Sequence, residues 1–134
     1  MRCIIMRGIA GSGKTTKAKE IVSRLGAIHS TNDFFIENGQ FIYRTRLLEV
    51  NHHRNFCAFR YSIRKRVPEV VLDNCNHVVR HFQYYIDFAV DHGYKIEVIQ
   101  MPHIDPTLAA LRSPHNVPVV NIERMLANFE PYTP

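Results

Sequence analysis

The sequence predicts an α/β fold in which a parallel sheet carries helices on both faces and is followed by a short helical lid. Short apolar runs alternate with helical patterns along the chain, which is typical of a parallel sheet with right-handed crossovers. A glycine-rich loop joins the first apolar run to the first helical pattern. Polar residues follow the apolar runs, at the sheet edge where ligands bind in such folds.

The first apolar run, residues 3–7, predicts a buried strand, and the loop after it fits the pattern G-x-x-x-x-G-K-[ST]. Glycines let backbone N–H groups converge on a phosphate. Lys14 is expected to reach the β- and γ-phosphates and to serve catalysis, and the Thr15 hydroxyl to ligate Mg²⁺. The loop predicts a P-loop NTPase site that binds ATP, or another NTP, and Mg²⁺. The predicted nucleotide-binding residues are Gly8, Ala10, Gly11, Ser12, Gly13, Lys14, Thr15 and Thr16.

The elements after this P-loop (residues 8–15) follow from apolar periodicity and from breakers. A helix carries apolar residues at helical spacing up to a terminal glycine: Ala18, Ile21, Val22, Leu25 and Gly26. A brief strand (27–30), a turn at Asn38-Gly39, a long amphipathic helix (45–65) and a strand (69–76) come next. A further helix (79–93) is expected to turn Phe82, Tyr85, Ile86, Ala89 and Val90 inward; a core strand (94–101) and two helices, 105–113 and 119–130, complete the chain.

Three side chains complete the predicted phosphoryl-transfer site. Asp73 ends the apolar run of its strand, where a carboxylate would hold Mg²⁺ together with Thr15. Asp33, after the second strand, is the carboxylate available to take a proton from an acceptor hydroxyl. Arg112, in a lid at about residues 106–120, is expected to close over the phosphates, although a plain surface role is the alternative. Asn74 and Asn76 are expected to contact substrate or to cap a turn.

Composition bounds the setting of this site. The 134 residues suit one domain, residues 1–134, and contain no apolar run long enough to span a membrane and no signal peptide. Three cysteines without metal-like spacing favour a reducing compartment, cytoplasmic or nuclear, and Cys57 is expected to be a buried small hydrophobe. His77 and His81 lie four residues apart, but no third ligand accompanies them at zinc-site spacing.

The net charge of +5 comes from one segment. Residues 44–66 hold seven Lys and Arg against one Glu, so the segment carries +6 and the rest of the chain −1. Such a stripe is typical of a surface that binds a polyanion, most often nucleic acid; a solvated helix face is the equal alternative.

Taken in order, these segments resemble the polynucleotide-kinase-type P-loop kinases, which include phage polynucleotide kinases and kinase-like domains of animal ubiquitin-ligase-binding proteins. The resemblance runs from GIAGSGKTT through STNDFF, NHHRN and VVLDNCN to HNVPVVNIERMLANFE. It implies transfer of the γ-phosphate of ATP to the 5′-OH of RNA or DNA, with Asp73 as the strand-end carboxylate and Arg112 as the lid arginine. Its predicted substrate residues, with those of the basic segment, are Asn32, Arg44, Arg46, His52, Asn55, Asn74 and Asn76.

One departure concerns the base. The family usually carries two consecutive acids in this segment and uses the first, whereas this chain has Asn32 followed by Asp33. Either Asp33 substitutes, or the alignment shifts by one residue, or transfer is weak or lost. Three hypotheses therefore stand: a 5′-OH polynucleotide kinase, a P-loop kinase of a small molecule such as a nucleoside, and a nucleotide- or nucleic-acid-binding module. The oligomeric state is not predicted.

Overall fold

The computed structural model describes residues 1–133. Its elements follow one another in the predicted alternation, and short 3-10 turns precede one strand and two of the helices. They are β1 (Arg2–Arg7), α1 (Lys14–Ile21), β2 (Ala27–His29), β3 (Ile36–Glu37), β4 (Gln40–Phe41), α2 (Leu48–Arg64), β5 (Glu69–Asp73), α3 (Gln83–Asp91), β6 (Lys95–Gln100), α4 (Pro106–Arg112) and α5 (Val119–Ala127). Within residues 1–133, no helix combines the length and the apolar character that a membrane crossing requires.

The main sheet has four parallel strands in the order β2-β5-β1-β6. β1 lies inside the sheet and pairs with β5 in a register that sets Met6 opposite Asp73. The carboxyl ends of β1 and β5 therefore reach the same edge, and the loop after β1 begins beside Asp73. The predicted parallel sheet is confirmed.

Helices cover both faces of the sheet, as predicted. On one face, α2 and α3 pack on the alternating side chains of β1 and β5, with Phe59, Ile63 and Tyr85 fully buried. On the other face, α1 places Ala18 against Ile4 and Val71. Because alternate side chains of a strand point to opposite faces, the continuous apolar runs of β1 and β5 supply both cores.

Four sequence predictions need correction. α1 ends at Ile21 because Val22 is already extended (ψ 134°), and Leu25 beyond it is 74% exposed. Val90 is 53% exposed, since it lies on the outer side of α3. Cys57 is exposed because it belongs to the solvent face of α2, where it contacts His53 and Arg60. The long helix begins at Leu48, after a 3-10 turn at Thr45–Leu47.

The Asn38-Gly39 turn is confirmed and closes a small antiparallel hairpin. Asn38 (φ 50°) and Gly39 (φ 79°) both adopt positive φ, the requirement of a tight two-residue hairpin turn. The turn brings β3 alongside β4, whose Phe41 packs edge-on against the buried Phe35 at 6.0 Å. The hairpin therefore lies beside the P-loop.

Arg7 is a fully buried cation at the end of β1. Its Nε donates to the carbonyl oxygen of Asn76 at 2.8 Å, and its Nη2 donates to those of His77 (3.3 Å) and Glu130 (2.6 Å). The guanidinium carbon also lies 4.9 Å from the Phe82 ring centroid. Burial lowers the pKa of this guanidinium. Arg7 thereby ties the loop after β5 and the C-terminal segment to the sheet.

Replacing Arg7 with Met is expected to lower the free energy of unfolding by about 3 kcal/mol, because three carbonyl oxygens lose their donor in a dry environment. Urea denaturation followed by circular dichroism measures the loss. Arg24→Met, at an exposed position, is the matched control and should change stability by about 0.5 kcal/mol or less. Equal effects of the two substitutions would contradict the structural role of Arg7.

Candidate functional site

The P-loop has the backbone of a phosphate cradle. Gly11 (φ 79°) and Gly13 (φ 92°) adopt the positive φ that glycine permits, and Gly13 caps the N-terminus of α1. The N–H of Gly8 donates to the carbonyl oxygen of Cys75 at 3.0 Å, which fixes the start of the loop to the segment after β5. The Ser12 hydroxyl oxygen is buried without a hydrogen-bond partner among the described residues. A phosphate oxygen in the cradle would satisfy it.

Lys14 lies inside this loop rather than in solvent. Its side chain is buried, and its Nζ donates to the carbonyl oxygen of Ile9 at 2.9 Å. An ammonium held by a single carbonyl keeps donors free for a second, anionic partner. Lys14 is therefore placed to neutralise phosphate charge, in line with the role predicted from the motif.

Thr15 and Asp73 form the predicted metal-binding pair. The Thr15 hydroxyl donates to Asp73 Oδ2 at 2.7 Å, although the two residues are 58 positions apart. Asp73 is 4% exposed, and its Oδ1 has no hydrogen-bond partner among the described residues. An unsatisfied carboxylate oxygen beside a threonine hydroxyl fits Mg²⁺, which takes oxygen ligands and keeps several waters. Thr15 and Asp73 are thus the residues that could hold the ion.

A 3-10 turn at Thr31–Phe35 positions Asp33. The turn is held from two sides, because the N–H of Thr31 donates to Asn74 Oδ1 at 3.0 Å and Asn51 Nδ2 donates to the carbonyl oxygen of Phe34 at 3.2 Å. Asn51 is fully buried and was missed in the sequence, since nothing in its spacing marks it. These hydrogen bonds hold the backbone that carries Asp33 at the carboxyl edge of the sheet.

Asp33 faces the same cleft as the P-loop, which has a volume of about 1280 Å³. Burial raises the pKa of Asp33, and the nearby charge of Asp73 raises it further, while Lys19 and His115 oppose the shift. A carboxylate whose pKa is raised is a better proton acceptor than a free one. Asn32, which precedes Asp33 in the chain, also lines the cleft and lines a second cavity beside it.

The predicted lid closes the far side of this cleft. Arg112, at the end of α4, lines the cleft, and the following loop carries His115 onto the hairpin, where its ring stacks on Phe41 at 3.8 Å between centroids. The lid rests on a small core of its own, formed by Ala109 and Ile122 around Ile9 of the P-loop. The stacking contact was missed because no sequence pattern relates residues 74 positions apart.

The second cavity, which we call the histidine cavity, has a volume of about 560 Å³ and adjoins the cleft. The two share four lining residues: Asn32, Asn74, Cys75 and Met125. Its remaining walls carry most of its charge and its aromatic surface: Thr31, Leu48, Glu49, His52, Asn76, His77, Arg80, His81 and Tyr84. In the sequence, the spacing of His77 and His81 was considered only as that of metal ligands. In residues 1–133, no three His, Cys, Asp or Glu side chains come together as metal ligands.

The structure assigns two predicted substrate residues to support instead. Asn55 is buried and donates through Nδ2 to the Tyr85 hydroxyl at 3.1 Å, because its face of α2 packs on α3. Asn76 is 3% exposed, and its Nδ2 donates to the carbonyl oxygen of Met6 at 2.7 Å. Each amide uses one of its two N–H donors in this contact, and neither side chain lines the P-loop cleft, although Asn76 lines the histidine cavity. His52 fits the prediction better: its Nδ1 lies 3.0 Å from the Thr31 hydroxyl, and its ring lines the histidine cavity.

The basic segment does not line the cleft. Arg44 pairs with Glu37 at 2.8 Å, and Arg46 is exposed outside both cavities. Most of the remaining basic residues lie along α2, whose 17 residues make it about 25 Å long. Its C-terminal arginines lie at the opposite edge of the sheet from the P-loop. Any polyanion on this stripe would have to run along α2 to reach the site.

A sequence model described as AAA domain matches residues 3–132, nearly the whole chain. The chain belongs to this family. A relative of this AAA domain is NEDD4-binding protein 2 from Homo sapiens, with 28% identity over 133 residues. The alignment covers 95% of this chain and 8% of the human protein, so the chain spans a small part of its relative's length.

Two solved structures show the same fold at low sequence identity. A chain of the Pnkp1/Rnl/Hen1 RNA repair complex matches with a TM-score of 0.74 and 14% identity, over 96% of this AAA domain and 43% of that chain. Chaetomium thermophilum Kti12, solved with ADP-AlF3, matches with a TM-score of 0.68 and 16% identity, over 96% and 80%. With the human relative, they confirm the resemblance to polynucleotide-kinase-type P-loop kinases at the level of family and fold.

Gly11→Ala is expected to weaken nucleotide binding at least about tenfold. An added Cβ would overlap the carbonyl oxygen of Ala109 in α4, so that the loop and the lid could no longer pack together. Binding of a fluorescent ATP analogue measures the effect.

Gly39→Ala is the matched control for this substitution. Gly39 has the same φ of 79°, but a Cβ there would meet nothing within 4 Å. This variant carries the backbone strain alone, about 1 kcal/mol of stability, and should bind the analogue like the unchanged protein. Equal nucleotide affinity in the two variants would contradict the proposed packing of loop and lid.

Proposed function

We propose that this AAA domain transfers the γ-phosphate of ATP to a hydroxyl of a nucleic acid, namely the 5′-OH of RNA or DNA. The observation that carries the proposal is that Asp33 lies in one cleft with Lys14 and the Thr15–Asp73 pair. A candidate base thus shares one cleft with a triphosphate cradle, which is the arrangement that phosphoryl transfer requires.

The donor half of the proposal uses residues that the P-loop and its neighbours hold in place. The loop amides and Lys14 bind the β- and γ-phosphates, and Ser12 donates to a phosphate oxygen. Thr15 and Asp73 would hold Mg²⁺, which when bound would neutralise phosphate charge. Arg112 approaches from the lid and stabilises the negative charge on the group in transit. Kti12, which shares the fold, binds ADP-AlF3, and this supports a nucleotide in the cradle.

The acceptor half depends on Asp33. Its carboxylate takes the proton of the acceptor hydroxyl as the hydroxyl oxygen attacks the γ-phosphorus, and the bond to the leaving ADP breaks. The raised pKa of Asp33 suits this step, because the proton is then held more strongly by the carboxylate. Asn32, beside it, lacks a basic oxygen and lies where the cleft meets the histidine cavity, a position suited to orienting the acceptor.

Unpaired positive charge favours a nucleic acid over a small acceptor. In the described part of the chain, the ion pairs of arginine involve Arg2 and Arg44, so Arg54 and Arg64 are exposed on α2 without a carboxylate partner. A small hydroxylated acceptor would leave this charge without a role. The similarity to a chain of an RNA repair complex points the same way.

Asp33→Asn is expected to lower kcat about 100-fold or more, because the amide cannot accept the hydroxyl proton. In the unchanged protein, the rate should fall as the pH drops through the raised pKa of Asp33, since the base must be ionised; the variant should lack this acid limb. Transfer of labelled γ-phosphate to a 5′-OH oligonucleotide, beside a 5′-phosphate oligonucleotide that cannot accept it, measures both effects.

The same assay separates the alternatives. Lys14→Ala should abolish transfer by removing charge stabilisation. If Asp33→Asn is silent and Asn32→Asp accelerates transfer, Asp33 is not the base. Equal transfer to free nucleosides would favour a small-molecule kinase, and tight oligonucleotide binding without transfer at any pH would favour a binding module.

Oligonucleotide binding is expected to weaken steeply as salt rises, because the arginines of α2 displace counterions condensed on the strand and salt opposes their release. Arg64→Gln should reduce the slope of log K against log salt by about 0.7 for a strand of about ten nucleotides, and should leave a dinucleotide unaffected. Arg24→Gln, exposed and away from α2, is the control. A flat salt profile, or equal effects of Arg64→Gln on both lengths, would exclude a strand lying along α2.

A further inference from the structure

The histidine cavity lies outside the donor machinery. It adjoins the cleft through four shared lining residues, among them Asn32 and Asn74. None of the P-loop residues lines it, and neither do Asp33 and Asp73. A group bound there would therefore reach the reacting atoms from the acceptor side without displacing the nucleotide.

The polar walls of the cavity are rich in cationic and donor groups. His52, His77, Arg80 and His81 all line it, against Glu49 as the acid among its lining residues. The rings of His77 and His81 stand 5.4 Å apart between centroids, edge to face. His77 Nδ1 is buried without a hydrogen-bond partner in the described part of the chain. A buried histidine nitrogen without a partner, beside an arginine and two further histidines, suits an anion.

We infer that the histidine cavity binds a phosphate group of the acceptor strand and that protonation of its histidines sets the affinity. The inference rests on the proposed function, because the phosphate must belong to the strand whose hydroxyl is in the cleft. The cavity is contiguous with the cleft, so a hydroxyl near Asp33 and a phosphate of the same strand near Arg80 can be held together.

An aromatic platform at the cavity favours a nucleotide over an isolated anion. The Tyr84 ring lines the cavity and is 39% exposed. It is held by Phe56, 4.8 Å away and edge-on, and by Tyr85, 4.7 Å away. A base attached to the bound phosphate can stack on this ring, which is the contact that single-stranded nucleic acids commonly make.

The surroundings of the histidines make this site sensitive to pH. Burial is the main cause that lowers the pKa of each: His52 is further lowered by His81, His77 by His81, Arg7 and Arg80, and His81 by Arg80. Glu130 opposes the shift at His77 and at His81, and Glu49 lines the cavity wall near His52. The histidines are thus neutral near pH 7 and gain charge as the pH falls.

A bound phosphate would reverse this balance. Its negative charge favours the protonated rings, so binding takes up protons and the affinity rises as the pH falls from about 8 to about 6. Among the described residues the nucleotide cleft is lined by one histidine, His115, against three in the cavity; it stacks on Phe41 at the lid, and burial lowers its pKa as well. The pH dependence of acceptor binding should therefore exceed that of donor binding.

The test compares a 5′-OH dinucleotide, which carries one phosphodiester, with the matching nucleoside. Binding of each to the protein loaded with a non-hydrolysable ATP analogue is measured by calorimetry at about pH 6 and about pH 8. The dinucleotide should bind more tightly than the nucleoside, and more so at the lower pH. His81→Gln and Arg80→Gln should each weaken dinucleotide binding roughly tenfold at the lower pH and leave the analogue's affinity unchanged. His81→Gln should also flatten the pH profile.

Two matched variants control for charge and position. His53→Gln changes a histidine that is next to His52 in the chain but lies outside both cavities. Arg24→Gln removes an exposed arginine elsewhere. Both should bind the dinucleotide as the unchanged protein does. The assignment is overturned if dinucleotide and nucleoside bind equally, or if His81→Gln keeps the full pH dependence.

Inorganic phosphate distinguishes a strand phosphate from a free anion. The strand assignment is supported if inorganic phosphate competes weakly, and is overturned if it binds as tightly as the dinucleotide with the same response to Arg80→Gln. These arms need no turnover. If the kinase proposal is wrong, transfer should be absent while phosphate-dependent binding remains. If only the cavity proposal is wrong, transfer should occur, and acceptors that lack a phosphate should have an unchanged KM.

Discussion

The site depends on a short set of hydrogen bonds that join the end of β1 to the loop after β5. Asn76 donates to the carbonyl oxygen of Met6 and, through its own carbonyl oxygen, accepts from Arg7, while Gly8 donates to Cys75. These bonds align the P-loop with the segment that follows Asp73. Because they are buried, each would cost its full desolvation if left unmade, so the two loops cannot shift independently.

The two halves of the site rest on different supports. The donor half stands on the P-loop, the end of β5 and the lid: the P-loop and the lid share the small core around Ile9, and Thr15 donates to Asp73 at 2.7 Å. The acceptor half stands on the 3-10 turn of Asp33 and on α2, held by Asn51. Asn74 bridges both halves by accepting from the turn while lining the cleft and the cavity. Differences in acceptor specificity can therefore arise without disturbing the phosphate cradle.

Charge is divided between these halves by burial. Near the nucleotide cradle, Lys14 is buried in its loop and Arg7 is enclosed by carbonyl oxygens and aromatic rings. Away from it, Arg54 and Arg64 of α2 lie in solvent, where their attraction for a polyanion is long-ranged and screened by salt. Among the histidines of the cavity, His77 is partly buried and His52 and His81 are exposed, so their charge follows pH.

Local patterns predict the parallel sheet, the P-loop and the strand-end Asp73, because strand-length apolar runs and the spacing of glycines, lysine and threonine have local physical causes. The Asn38-Gly39 turn is predicted in the same way, and both residues take positive φ. Tertiary contacts, by contrast, bury some of the asparagines as supports and bring His77 and His81 into one cavity with His52. Helix ends and faces such as those of Leu25 and Val90 were likewise set by packing. These features depend on contacts between residues distant in the chain, which periodicity does not encode.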